Sequence, residues 1–252
     1  MDQSTTLGTL SAASKASCSN HRVLLVCSQC LEPNSSMITE LGFGNFKSWK
    51  RVQKMRFAPI TGFFGANSSG KTSVLQLLLM IKQTVESTDR LQVLDFGSEK
   101  SPANPGSFRD VMFSHQTPGT LDWRILWKLD HPLAVKKPEA KTDDLFTGDT
   151  IGFEVEIGEN EKKRLVVNRL IYSFANRDFE MRRKLTGKDN YDLTVSPADD
   201  FRFVRTPGRV WGLPSPVKCY GFPNEVNARF QNAGFLSDLE AKGKGGRHWN
   251  NA

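Results

Sequence analysis

The eight residues from Gly65 to Thr72, GANSSGKT, place two glycines, a lysine and a hydroxyl at a spacing suited to holding phosphate. They fit the pattern G-x4-G-K-[ST] in full. The apolar ITGFF precedes them and the apolar SVLQLLLMIKQT follows, which is the strand and helix context the Walker A pattern requires. Gly65 and Gly70 let the backbone curl so that successive N–H groups point inward, and the following helix adds its partial positive charge. Lys71 then reaches the β- and γ-phosphates as a compact cation, while the Thr72 hydroxyl completes the shell of a Mg2+ shared with the nucleotide. Ala66, Asn67, Ser68 and Ser69 between the glycines, and Ser73 after them, complete the expected cofactor-binding set. At average residue frequencies the bare pattern arises by accident in about one chain of this length in a hundred.

Two strands must carry this loop. MITELGFGNF and MRFAPITGFF are short apolar runs with β-branched and aromatic residues, separated by the polar KSWKRVQK, and Pro59 belongs near the start or edge of the second. The helix after the loop spans Thr72 to Val85. Val74, Leu77, Leu78, Ile81 and Val85 share one face, which Leu75, Leu79 and Met80 widen, so it is expected to be buried on most sides. From Glu86 to Gly119 the period is lost. Strict alternation returns at Leu121, Trp123, Ile125, Trp127 and Leu129, and again at Ile151, Phe153, Val155 and Ile157. Further runs at Arg164 to Phe174, Phe179 to Leu185 and Tyr191 to Val195 are joined by turn residues, which predicts an antiparallel meander with one solvated face. A last helix is expected from Asn224 to Glu240.

These readings divide the chain into a disordered leader or upstream extension (1–36), a nucleotide-binding segment (37–120), a β meander of the same lobe (121–205) and a loop, short helix and polar tail (206–252). At 252 residues and 38% hydrophobic content the chain can bury a real core. No run approaches a membrane span, which predicts a soluble, cytoplasmic protein with no membrane partner. Residues 160–209 carry twelve Lys or Arg against seven Asp or Glu, and Lys242, Lys244 and Arg247 follow in the tail. That basic balance makes nucleic acid a candidate partner. Cys18, His21, Cys27 and Cys30 have the residue types of a zinc knuckle, but the five residues between His21 and Cys27 are fewer than common zinc modules use. Reduced thiols are the expectation.

The stretches MITELGFGNFKSW and FAPITGFFGANSSGKTSVLQLLLMIKQT resemble the amino-terminal lobe of the RecF, SMC and ABC-like P-loop ATPases, and more narrowly the bacterial AAA and OLD-like predicted ATPases. LQVLDFGSEKSPANPGSFRDVMF is similar to the same group. The resemblance is specific from Met37 to Phe113 and runs in outline to Glu240. It implies an α/β fold: a P-loop NTPase lobe, ABC/SMC-head-like, with a flanking antiparallel β layer. It implies ATP and Mg2+ as cofactors, an asparagine near the γ-phosphate at Asn67, and a basic residue approaching the phosphates at Lys47. It also implies a homodimer around sandwiched nucleotide and work near DNA.

Hydrolysis needs a carboxylate for Mg2+ and a group to position water. In the resembled family these come from a carboxyl-terminal lobe, with an apolar strand ending in Asp-Glu and a late histidine. No four-residue apolar run followed by Asp-Glu occurs after Lys71. Asp95 in LQVLDF lacks the second acid and reads as a turn aspartate, and His248 sits in the polar tail. His115 and His131 lie beside turns and read as surface histidines. The expectation is a truncated ATPase lobe that binds ATP and Mg2+ but is incomplete for hydrolysis. The alternative is a non-catalytic module, stabilised by nucleotide, that docks nucleic acid or a partner protein.

Overall fold

Runs of alternating apolar residues joined by tight turns pair antiparallel, because a parallel partner needs a crossover of a dozen or more residues. A computed structural model describes residues 14–17, 22–28, 36–136, 144–184, 190–197, 201–204, 213–223 and 232–235. The chain order is β1 (Ser14–Ser17), β2 (Arg22–Ser28), β3 (Met37–Phe46), β4 (Trp49–Arg56), β5 (Ile60–Phe64), α1 (Lys71–Glu86) and α2 (Phe108–Val111). After a 3-10 turn at Phe113–His115 come β6 (Thr120–Lys136), β7 (Asp144–Glu159), β8 (Leu165–Phe174), β9 (Arg177–Arg183), β10 (Tyr191–Ser196), β11 (Phe201–Val204) and β12 (Asn232–Phe235). Seven strands form one sheet in the order β10-β9-β8-β7-β6-β3-β4, β1-β2-β5 form a second, and β11 and β12 pair as a ribbon.

This architecture corrects the expected fold class. Every strand pair among the described residues is antiparallel, so the chain is not an α/β P-loop NTPase lobe of ABC/SMC-head type. The antiparallel layer expected to flank such a lobe is the body of the molecule. A parallel sheet needs a helical crossover for each added strand. Here the one long helix, α1, leads from β5 to β6, which lie in different sheets. The strand that feeds the loop, β5, is an edge strand paired with β2.

Three further differences have local causes. The polar KSWKRVQK supplies β4, with Trp49, Val52 and Met55 buried at three-residue intervals. A register shift between Leu41 and Phe43 breaks the two-residue alternation that would have marked it. Asn232–Phe235, inside the expected last helix, is β12 and pairs with Phe201–Val204. Gly234 at its centre is a poor helix residue, and the remainder of Asn224 to Glu240 lies outside the described residues. Within the expected leader, Ser14–Ser17 and Arg22–Ser28 are strands.

The meander follows the predicted order, and its register explains the core. Leu193, Met181, Leu170, Val155, Trp123, Phe43 and Val52 are successive cross-strand partners from β10 to β4, and all seven are buried. One buried row thus crosses the whole sheet. Val74, Leu77 and Met80 of α1 and Leu94, Phe108, Val111 and Met112 of the connection join the same core. The opposite face carries ion pairs, with Arg169 bonded to Glu154 at 3.1 Å and to Glu180 at 3.3 Å.

The helix is less enclosed than its sequence predicts. Leu75 and Val85 are 49% and 50% exposed, whereas Gln83 and Thr84 are buried. These two polar side chains anchor the connection that follows: Gln83 Nε2 donates to Asp95 O at 2.8 Å, Ala103 N to Gln83 Oε1 at 3.2 Å, and Asp95 N to Thr84 Oγ1 at 2.9 Å. Asp95 Oδ1 accepts from Gly97 N at 2.8 Å, the bond of a turn aspartate. No helix among the described residues is long and apolar enough to cross a membrane.

Candidate functional site

A cleft of about 350 Å3 opens where the loop, the β3–β4 hairpin tip and the segment around α2 meet. One wall is Ser68 to Ser73. The other is formed by Lys47, Ser48, Asp110, Met112, Ser114 and His115. The volume is within the range of small-molecule sites, about 300–1,000 Å3.

The loop wall is built by backbone. Ser68 and Gly70 take left-handed conformations at φ 62° and 87°, and the Ser69 N–H donates to Ala66 O at 3.3 Å, closing the turn. Helix α1 starts at Lys71 with no side-chain cap and no acidic residue in its first turn. Its leading N–H groups and positive end are therefore available to an anion. Ser69 is 1% exposed, and its hydroxyl oxygen has no hydrogen-bond partner among the described residues. A buried hydroxyl costs free energy unless paired, so this one fits a ligand partner.

Trp49 ties the loop to the sheet. Its indole Nε1 donates to Gly70 O at 3.1 Å, and its ring meets Phe43 edge-on at 6.0 Å. A Cβ at residue 70 would lie 2.6 Å from Ser48 Oγ and 2.7 Å from Trp49 Nε1, in a backbone conformation that L side chains disfavour. Gly70→Ala is therefore expected to lower stability by about 2 kcal/mol in urea unfolding, from left-handed strain and hairpin displacement combined.

The second wall hangs on Lys47, itself left-handed at φ 53°. Its N–H donates to Val111 O at 2.7 Å, and its ammonium donates to Pro105 O at 2.7 Å. Burial pulls the ammonium below its usual pKa, and the Asp110 carboxylate acts in the opposite direction. Asp110 closes a capping box on α2: its Oδ2 accepts from Ser107 N at 2.8 Å and from Ser107 Oγ at 2.7 Å. The Ser107 hydroxyl, followed by the Ser107 N–H, holds that carboxyl below the usual range. The His115 ring places Nδ1 3.1 Å from Arg109 O. A carbonyl can only accept, so in this contact Nδ1 is the donor.

The predicted site residues divide between two places. Lys47, Ser68, Ser69, Gly70, Lys71, Thr72 and Ser73 line the cleft. Gly65, Ala66 and Asn67 are exposed and outside its lining. Gly65 and Ala66 act through their carbonyls, which accept from Lys71 Nζ at 2.9 and 2.7 Å. Ser48, Asp110, Met112, Ser114 and His115 were not anticipated. The sequence marks none of them, since no spacing rule connects residue 110 with residue 71. His115, expected at an ordinary surface position, is exposed and also lines the cleft, and His131 is 89% exposed beside Asp130. Asp95 lies outside the cleft lining. Cys18, His21, Cys30 and His248 fall outside the described residues. Among the described residues no group of three metal-binding side chains occurs. Cys219 is buried, and burial pushes its thiol up to about 12, which leaves it unreactive at neutral pH.

No protein-family model matches the chain, and no curated protein proves similar to it.

Proposed function

We propose that the chain binds ATP with Mg2+ in this cleft, through the Gly65–Thr72 loop. The observation that carries the reading is the buried Ser69 hydroxyl, without a partner among the described residues, within a complete phosphate-loop pattern at the open N-terminus of a 16-residue helix. Loop N–H groups and the helix end bind phosphate oxygens. Lys71 exchanges the Gly65 and Ala66 carbonyls for phosphate, and Thr72 contributes its hydroxyl to Mg2+. ATP is the nucleotide that the resemblance of Met37 to Phe113 to ATPase lobes implies. Bound Mg2+ supplies charge neutralisation across the phosphates.

Among the described residues lining the cleft no group is assigned to splitting the nucleotide, and binding is the function proposed here. Titration calorimetry of the full chain with ATP and with GTP, each with Mg2+, tests the reading. Micromolar ATP affinity supports it, and no heat with either nucleotide overturns it.

The alternative, a nucleic-acid-docking module, draws on the basic meander. Several of the described cations there stand beside acids: Arg169 beside Glu154 and Glu180, Arg182 beside Glu180, and Lys184 beside Asp192 at 2.8 Å. Paired charges release few counterions on binding a polyanion. DNA retention at low salt is therefore expected to be lost by about 0.2 M NaCl, a concentration at which specific complexes with many phosphate contacts still form.

A further inference from the structure

We propose that Asp110 is the carboxylate that organises Mg2+ on the bound nucleotide, acting with Thr72 from the other wall of the cleft. The inference rests on the nucleotide reading above and adds the metal-holding acid that the sequence does not reveal. Asp110 is the one carboxylate among the described residues lining the cleft. Both of its hydrogen bonds, from Ser107 N and Ser107 Oγ, fall on Oδ2, which leaves Oδ1 without a donor among the described residues. The carboxyl is exposed, and those bonds hold it below the usual range. His115 and Lys47 both act on it electrostatically, but neither bonds to it: Lys47 Nζ donates to Pro105 O at 2.7 Å, and His115 Nδ1 lies 3.1 Å from Arg109 O.

An ionised carboxylate in a cleft that takes a triphosphate repels the ligand unless a cation stands between them. Mg2+ is suited to that position: it binds through one or two carboxylates together with substrate phosphates and retained waters. One carboxylate, one hydroxyl and the phosphates themselves are therefore enough, and the lack of a three-residue metal cluster is no obstacle.

The bland account gives Asp110 nothing to do beyond capping α2. Asp110→Asn separates the two, since the amide oxygen still accepts from Ser107 while the charge is gone. The experiment is calorimetry of the full chain with ATP in excess Mg2+ and with ATP in EDTA. Wild-type protein is expected to bind ATP about tenfold more tightly with Mg2+, the size of one good ionic contact. Asp110→Asn is expected to bring that ratio to within about twofold, with metal-free ATP bound as well as or better than by wild type. Ser107→Ala, which loses the cap and keeps the carboxylate, is expected to retain the Mg2+ gain. The proposal is overturned if Asp110→Asn keeps the full gain, or if it loses Mg2+-bound and metal-free ATP in parallel. It also fails, with the nucleotide reading intact, if wild-type protein binds ATP equally well with and without Mg2+. A wild-type protein that binds no ATP under either condition brings down both.

Discussion

Lys71→Ala is expected to weaken binding of Mg2+·ATP by about a hundredfold in titration calorimetry, the equivalent of about 2.7 kcal/mol. A hydrogen bond to a charged partner is worth about 1.5–3 kcal/mol. On the proposed reading Lys71 would supply such contacts to the most highly charged part of the ligand, at the end of a helix whose dipole favours an anion. In the free protein its ammonium bonds to Gly65 O at 2.9 Å and Ala66 O at 2.7 Å, both on exposed residues. Water replaces those bonds easily, so the variant is expected to unfold within about 1 kcal/mol of wild type. A binding loss without a stability loss is the diagnostic pattern. Lys71→Arg is expected to recover little, because a planar fork does not replace a compact ammonium between two carbonyls. An unchanged ATP affinity in Lys71→Ala would remove the loop from the binding account altogether.

The loop and its lysine could be read from the sequence because their chemistry is local. Backbone curvature, the helix start and the cation fall within eight consecutive residues, and each has a short-range cause. The strands of the meander were legible for the same reason: Leu121, Trp123 and Ile125 alternate across a pleat whose period is two. The sheet's direction was not legible, since β5 looks the same whether it sits inside a parallel sheet or at the edge beside β2. β4 was hidden because its buried residues Trp49, Val52 and Met55 fall three apart, the second interval across a register shift. The second wall was hidden for a different reason. Lys47 and Asp110 are brought to one cleft by the Lys47 N–H bond to Val111 O and by the bridge between Phe46 and Met112. Both contacts span more than sixty residues and leave no mark in local composition. The polar residues Gln83 and Thr84 sit where an amphipathic pattern expects solvent. They are buried because the connection after α1 returns over them and takes their hydrogen bonds.

The C-terminus of α1 meets a buried cation, Lys218, from the 213–223 segment, and replacing that cation is expected to produce the largest loss of stability. Lys218 is 4% exposed, and its ammonium donates to Thr84 O at 2.6 Å, to Val85 O at 3.4 Å and to Ser87 O, at the C-terminus of α1. Three donors meet three carbonyls of the kind a helix end leaves open, and the positive charge faces the negative end of the helix dipole. Helix α1 has no basic residue of its own in its last turn, so a lysine about 130 positions away serves that end. Lys218→Met preserves most of the side-chain volume and strands the carbonyls. Each lost charge-assisted bond costs about 1.5–3 kcal/mol, partly offset because a charge no longer has to be buried. The expected net loss is about 3 kcal/mol, read as a lower urea midpoint with an unchanged slope. Lys218→Arg is expected to restore less than half of it, since a planar guanidinium converges poorly on three carbonyls. The same anchor fixes the far end of the helix whose near end forms the cleft. Saturating Mg2+·ATP is therefore expected to raise the midpoint of Lys218→Met by as much as it raises that of wild type, because mass action adds the same increment wherever the binding wall is intact. A smaller increment would mean that α1 loses its position at the loop when its C-terminal cation is removed.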